Sequence, residues 1–447
     1  MNIVFFALVV IGFVVAAVRQ ATWTPPEDAK DPTPPMEALG TGIVDSAESA
    51  VTLAIGLVGV MALFLGLMKV AEQGGLMRVV AKALRPVLVR LFPEVPPQHP
   101  AMGSIIMNLS ANILGLGNAA TPFGIRAMQQ LDQLNPHKGT ATNAMALFLA
   151  MNTSSVTLLP TGVIALRASA GSEDPAGIVP TTLAATIIST TVAITMAKLL
   201  QRYWAAPAPD PAPAAADAPA AGAAPAGNGD PILTSFGGDG GELPEDPGSY
   251  PLWVSLLIFA GVAALIPLTV VYGREIAPWI IPGLVVLLLG YGAMARVRVY
   301  EVFVEGAKDG FNVALRIIPY LVAILVAVGM LRDSGALELL IDPLSRVTST
   351  FGLPGDALPM ALLRPLSGSG AYGVLASIIQ DPGVGPDSYT GYLVSTFQGS
   401  TETTFYVLAV YFGAVAIRRI RHALAAALCA DAAGIAGAVA VTSYLYG

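Results

Sequence analysis

Four polar segments sit inside otherwise apolar stretches of the chain, and they are the places where chemistry could be done. Two are rich in glycine and proline: GLGNAATP at 115–122 and RPLSGSGAYG at 364–373. They bring Asn112, Asn118 and Thr121 on one side, and Arg364, Ser367 and Ser369 on the other. The other two are hydroxyl-rich: MNTSSVTLLP at 151–160, and FQGSTETTFYV at 397–407. They supply Asn152, Thr153, Ser154 and Ser155, and then Gln398, Ser400, Thr401, Glu402 and Thr403.

Glycine and proline interrupt a helix, and an interruption frees backbone N–H and C=O groups whose half-helix ends carry partial charge. With side-chain amides and hydroxyls beside them, such ends can hold a polar solute or an ion. The competing reading is that the same groups only cap helix ends and join neighbouring helices. Arg364 can grip a carboxylate or phosphate with two hydrogen bonds; it can equally sit at an interface or in an internal salt bridge. Glu402 is the first candidate for coupling to H+ or Na+, and Asp431, within ALCADAAGIAGAV, is the second. Carboxyl groups at such depth are costly and usually functional or paired. Asp431 could pair with Arg364 or join a relay, and both acids could instead be neutral structural groups. No cofactor is expected.

Nothing points to an enzyme. The chain has no HExxH, GxSxG or Walker A sequence. One cysteine, Cys429, and three scattered histidines, His99, His137 and His422, offer no metal-ligand cluster.

These segments need elements to hold them, and composition says which. Of 447 residues 54% are hydrophobic and only 12% charged, against about 25% charged in soluble domains. The apolar residues fall in runs long enough for a bilayer, which takes about 20 residues. The net charge of −7 argues against nucleic acid, which needs a basic face. The partners expected are a lipid bilayer and a small-molecule substrate, and a homo-oligomer is left open. Spans are expected at 2–18, 47–70, 140–165, 178–200, 251–272, 276–295, 313–331, 389–416 and 422–445. The first, which has no basic residue before Arg19, reads as an uncleaved span. The stretches 100–128 and 357–379 are too broken for simple spans and read as re-entrant hairpins, tolerated at depth where protein or a polar cavity surrounds them.

Residues 205–249 are Ala/Pro/Gly-rich and read as a disordered linker. They divide the chain into repeats at 1–204 and 276–447, with a linking helix at 250–275. Each repeat runs span, amphipathic stretch, hairpin, span with a polar middle, final span. Basic residues mark cytoplasmic loops. Lys69, Arg78, Lys82, Arg85 and Arg90 place one such loop, and Arg418, Arg419 and Arg421 another. The linking helix makes the span count odd and inverts the second repeat, a plan common among secondary transporters. The N-terminus and the linker are expected in the cytoplasm.

The segments MNLSANILGLGNAATPFGIRAM (107–128) and ALFLAMNTSSVTLLPTGVIALRASAGS (146–172) resemble spore maturation protein A. IPYLVAILVAVGMLRDSGAL (318–337), LPMALLRPLSGSGAYGVLA (358–376) and FQGSTETTFYVLAVYFG (397–413) resemble spore maturation protein B. The chain is similar to a fusion of the two families. They belong to a wider group of nucleoside-recognition, or gate, membrane proteins. The resemblance implies a transport or gating role without implying nucleoside as substrate.

The expectation is an all-α polytopic membrane protein. It has two inverted repeats, each of about four transmembrane helices plus a re-entrant hairpin, and one extra linking helix. The leading function is secondary transport of a small polar metabolite, anionic ones included, across the bacterial inner membrane. The alternative is a membrane scaffold or gate that docks a protein partner; an intramembrane enzyme ranks below both.

Overall fold

The computed structural model describes the backbone of residues 2–24, 33–204 and 248–447. All but the last two residues of the 205–249 segment therefore lie outside the described residues. No β-strand occurs among the described residues, only a single bridge between Thr140 and Arg419.

The first half contains α1 (Asn2–Ala21), α2 (Pro35–Gln73), α3 (Leu76–Leu91), α4 (Pro100–Ile113), α5 (Gly117–Gln133), α6 (Asn143–Thr153), α7 (Thr161–Ser169) and α8 (Ile178–Leu200). The second contains α9 (Leu252–Met294), α10 (Val299–Asp333), α11 (Ala336–Thr348), α12 (Leu358–Leu363), α13 (Gly368–Gln380), α14 (Tyr389–Ser400), α15 (Thr404–Gly413) and α16 (Ala423–Tyr446). The order repeats. A long helix, α2 or α10, turns at a left-handed glycine, Gly75 or Gly335, into a short helix. A hairpin follows, α4–α5 or α12–α13, then a broken helix, α6–α7 or α14–α15, then a closing helix, α8 or α16. Among the described residues α2, α8 and α16 are long and apolar enough to cross a membrane.

Local chemistry sets the breaks. Thr142 caps α6 by accepting the Met145 N–H at 3.2 Å, and Ser388 caps α14 by accepting the Gly391 N–H at 2.9 Å. Pro160 has no N–H to continue a helix, so α7 starts anew after it.

The halves pack around a two-fold relation. α2 and α10 run antiparallel along their length: Gly42 lies against Asp333, Gly329 against Ser46, Gly66 against Phe303 and Gly310 against Ala62. Glycine here allows close approach of two backbones, as is common between membrane helices. Several other contacts are reciprocal: α8 on α16, α1 on α10 and α9 on α2, α14 on α8 and α16 on α6.

Two pairs of loops define the ends of the molecule. At one end, called A, the α5–α6 loop pairs with the α15–α16 loop: the Ala141 N–H donates to Arg419 O at 3.0 Å and the Arg418 N–H to Gly139 O at 2.9 Å. At the other, B, the α7–α8 loop meets the α13–α14 loop, where Arg167 lies 2.9 Å from Asp387. So α6–α7 runs from A to B and α14–α15 from B to A. The inversion follows from this antiparallel course and does not depend on counting spans.

Several boundaries differ from expectation; the stretch 389–416 is two helices, α14 and α15, with a gap at 401–403, and the span at 313–331 lies within the 35-residue α10. The span at 47–70 is the core of a helix of 39 residues, about 58 Å at 1.5 Å per residue, so its N-terminal part reaches beyond a bilayer core. The stretch 140–165 is two helices with a gap at 154–160. The spans at 251–272 and 276–295 form one helical run of 43 residues, α9. Straight, it would be about 65 Å long. Yet the Tyr250 N–H bonds Lys82 O at 3.2 Å, and Tyr291 packs on Gly74, eight residues earlier in the chain. Both ends of the run thus lie near α3, so the run is not straight.

Candidate functional site

The two helix breaks meet at mid-molecule. The Glu402 N–H donates to Thr153 O at 2.9 Å, tying one break to the other. Each hairpin docks on the break of its own half and on the second segment of the other half's broken helix. Asn112 Nδ2 donates to Asn152 Oδ1 at 3.0 Å, while Tyr411 of α15 reaches Asn108 and Asn152 at 3.2 and 3.4 Å. In the second hairpin, Arg364 donates to Thr403 Oγ1 at 3.1 Å and to Thr401 O, and the Tyr372 hydroxyl donates to Gly162 O of α7 at 2.8 Å.

Several of the hydroxyls bond within their own helix. Thr153 and Ser154 donate to Ala150 O at 2.9 and 2.8 Å, Ser155 to Met151 O at 3.0 Å, and Ser400 to Phe397 O at 3.3 Å. These bonds satisfy carbonyls that the ending helices leave open, and the hydroxyl oxygens keep their acceptor lone pairs. Ser367 caps α13 by accepting the Gly370 N–H at 3.0 Å. Thr121 and Ser369 are half-buried on α5 and α13. Asn118 lies in the first turn of α5, with its side chain outside the described residues.

The charged groups are arranged unequally. Arg364 is 4% exposed. Its nearest carboxylate is Glu402, at 3.7 Å, whose own side chain is 55% exposed, so the pair is loose. Asp431 does not pair directly with Arg364: it accepts from Thr404 Oγ1 at 2.6 Å. Asn108 Oδ1, Arg364 Nε, Gln398 Oε1 and Asp431 Oδ1 are buried around the crossing without a protein partner. Buried polar atoms are ordinarily hydrogen-bonded, so this set leaves unused hydrogen-bonding capacity near the crossing. Among the described residues no group of His, Cys, Asp and Glu could hold a metal ion. Two cavities, of about 270 Å³ at end A and about 650 Å³ at end B, include none of the break residues.

Sequence reasoning overlooked Arg167. It is fully buried at the end of α7 and bonds Pro386 O at 2.6 Å, Asp387 at 2.9 Å and Asp174 O at 3.1 Å, with its guanidinium 4.2 Å from the Tyr392 ring centre. Burial pushes the Asp174 carboxyl above its ordinary range, and Arg167 partly offsets this. The available signal was an arginine closing a long apolar run. Tyr411 was also missed: a tyrosine in an apolar helix carries no mark of its partners.

Comparison with known proteins agrees with this architecture. The family model Gate, described as nucleoside recognition, matches residues 54–170 and 314–418. Spore maturation protein A of Bacillus subtilis (strain 168) is 41% identical over 203 residues, covering 45% of this chain and 94% of that protein. Spore maturation protein B of the same organism is 44% identical over 177 residues, covering 39% of this chain and 98% of that protein. A solved structure, CNTnw in an outward-facing state, aligns with 100% of this chain and 99% of its own at a TM-score of 0.42 and 15% identity, too distant to carry an inference.

Proposed function

Because the chain belongs to the spore maturation and nucleoside-recognition (Gate) family of membrane proteins, with an A-type and a B-type half in one polypeptide, we propose that it is a secondary transporter of a small polar solute carrying a carboxylate or similar anion. The observation that carries this is the crossing of the two breaks, where Glu402 N–H meets Thr153 O beside buried Arg364. Broken helices crossing at mid-depth of two inverted repeats are a recurrent solute site in transporters. The N-terminal ends of α13 and α15 add partial positive charge there, and Arg364 supplies a full one.

In this reading Glu402 and Asp431 set the coupling. With both ionised, Arg364 is outnumbered and an added anion is repelled. Taking up H+ or Na+ at either carboxylate relieves that repulsion, so anion and cation would move together. The basic end A faces the cytoplasm of a bacterial inner membrane, which also puts the start of α1 there, since Arg19 at its far end bonds Ser334 O at end B.

The test is uptake into proteoliposomes holding the full chain, with a panel of labelled small carboxylates and an imposed proton or sodium gradient. At least one solute should accumulate, Arg364→Gln should abolish its uptake, and Glu402→Gln should remove the dependence on the gradient. Uptake in Arg364→Gln equal to that of the parent would sink the assignment of the site, and a gradient-dependent Glu402→Gln would sink the coupling role.

A further inference from the structure

The two short helices that follow the long ones, α3 and α11, occupy equivalent places and carry opposite charge. Each starts after a glycine with positive φ, Gly75 at 85° and Gly335 at 76°. Setting those glycines in register aligns Arg78 with Glu338 and Lys82 with Asp342. Both helices follow the same left-handed turn after a long helix, so the shared backbone plan does not itself set the sign.

α3 carries four cations and no acid, LMRVVAKALRPVLVRL. Arg78, Lys82 and Arg85 recur at i, i+4 and i+7, one stripe of the helix. Ala81, Ala83, Leu84 and Leu88 are buried against the core. Arg78 and Arg90 are exposed, Lys82 is half-buried, and Arg85 makes contacts within the protein. α3 lies at end A, because Lys198 Nζ donates to Leu91 O at 2.8 Å and Asn143 Nδ2, at the start of α6, donates to Glu94 at 2.8 Å.

The surface there is not that of a site for a soluble partner. Val79 is 39% exposed beside Arg78, and Tyr203 and Trp204, just past α8 at the same end, are 76% and 42% exposed. Cations interleaved with exposed aromatic and aliphatic groups fit the headgroup layer of a bilayer. The net charge of −7 would repel an acidic surface, so any attraction must be local. From the stripe, its place and its reversed counterpart, we infer that α3 lies in the headgroup layer at end A and binds anionic phospholipid headgroups through Arg78, Lys82 and Arg90.

The experiment uses the full chain extracted from vesicles of equimolar phosphatidylglycerol and phosphatidylcholine, with retained lipids counted by native mass spectrometry. The parent should retain phosphatidylglycerol preferentially. Arg78→Gln with Lys82→Gln should lower that preference roughly 25-fold, since each of the two cations near an anionic surface is worth roughly a factor of five. Glu338→Gln with Asp342→Asn should leave it unchanged or raise it. As a check that needs no variant, 0.5 M salt during extraction should erase the preference, because screening weakens exposed charge pairs. Equal retention of the two lipids by the parent, a preference that survives salt, or an undiminished preference in the Arg78/Lys82 variant would each overturn the inference.

Discussion

Replacing Arg167 by Met should separate the stability of the two-half assembly from the chemistry at its centre. The arginine is fully buried, and three of its partners, Pro386 O, Asp387 and Ser395 Oγ, belong to the other half. Met fills much of the volume but leaves Pro386 O and Asp174 O short of a donor. Removing one member of a buried pair costs about 3–5 kcal/mol. Asp387→Asn should cost less, about 1–2 kcal/mol, because Asp387 is 33% exposed and water screens the loss. A kcal/mol moves the melting temperature of a 150–250-residue domain by about 2–4 °C. For this larger chain Arg167→Met should therefore lower it by roughly 5–10 °C and Asp387→Asn by roughly 2–4 °C, read by thermal unfolding in detergent. A melting temperature for Arg167→Met within 2 °C of the parent, or above that of Asp387→Asn, would refute the reasoning.

Three further outcomes are expected. His422 is buried at end A with neither ring nitrogen hydrogen-bonded, and burial followed by repulsion from Arg421 pushes its pKa down to about 4. The unfolded chain takes up that proton first as pH falls, so this contribution is complete above about pH 6.5 and lost as pH falls toward 4, by at most about 3 kcal/mol; His422→Gln should flatten the melting temperature against pH over that window. At the α2–α10 seam a side-chain carbon on Gly310 would stand 2.6 Å from the Ala62 backbone, so Gly310→Val should destabilise by about 1–3 kcal/mol, whereas Gly40→Ala, with open space around it, should stabilise by about 0.5–1 kcal/mol; thermal unfolding of the two variants checks the contrast. A protease site placed in the 205–247 segment and cut after purification should leave both fragments in one peak on size exclusion, since α2 with α10 and α8 with α16 hold the halves together; fragments that separate would show that the joining segment does more than tether.

Much of this plan is legible in the residues. The apolar runs give the helices, Gly75, Gly115 and Pro160 interrupt them, and the polar breaks stand out against their surroundings. What is not legible is partnership. Thr153, Ser154 and Ser155 bond to carbonyls about one turn back, partners that only the end of α6 creates and that a string of letters does not show. Asp431 and Arg364 look like a pair, but Thr404 and Glu402 come between. The bend of α9 is hidden for a related reason. Its residues suit one helix or two, and the choice is made by what Tyr250 and Tyr291 touch.

The two-fold relation explains why the site is lopsided. A repeat that folds back on its inverted copy places equivalent backbones side by side, so the breaks must meet wherever the helices cross. Symmetry of backbone then leaves chemistry free. The first half presents an amide pair, Asn112 with Asn152, and the second a guanidinium with two carboxylates near it, Arg364 with Glu402 and Asp431. A symmetric pair of arginines would repel each other at low dielectric, and a pair of amides alone would offer a polar solute no charge to recognise. The same freedom operates at the ends, where α3 and α11 keep one shape and opposite signs. Inversion of the fold supplies two equivalent positions at the centre and at each surface, and substitution at only one of each leaves the two halves chemically distinct.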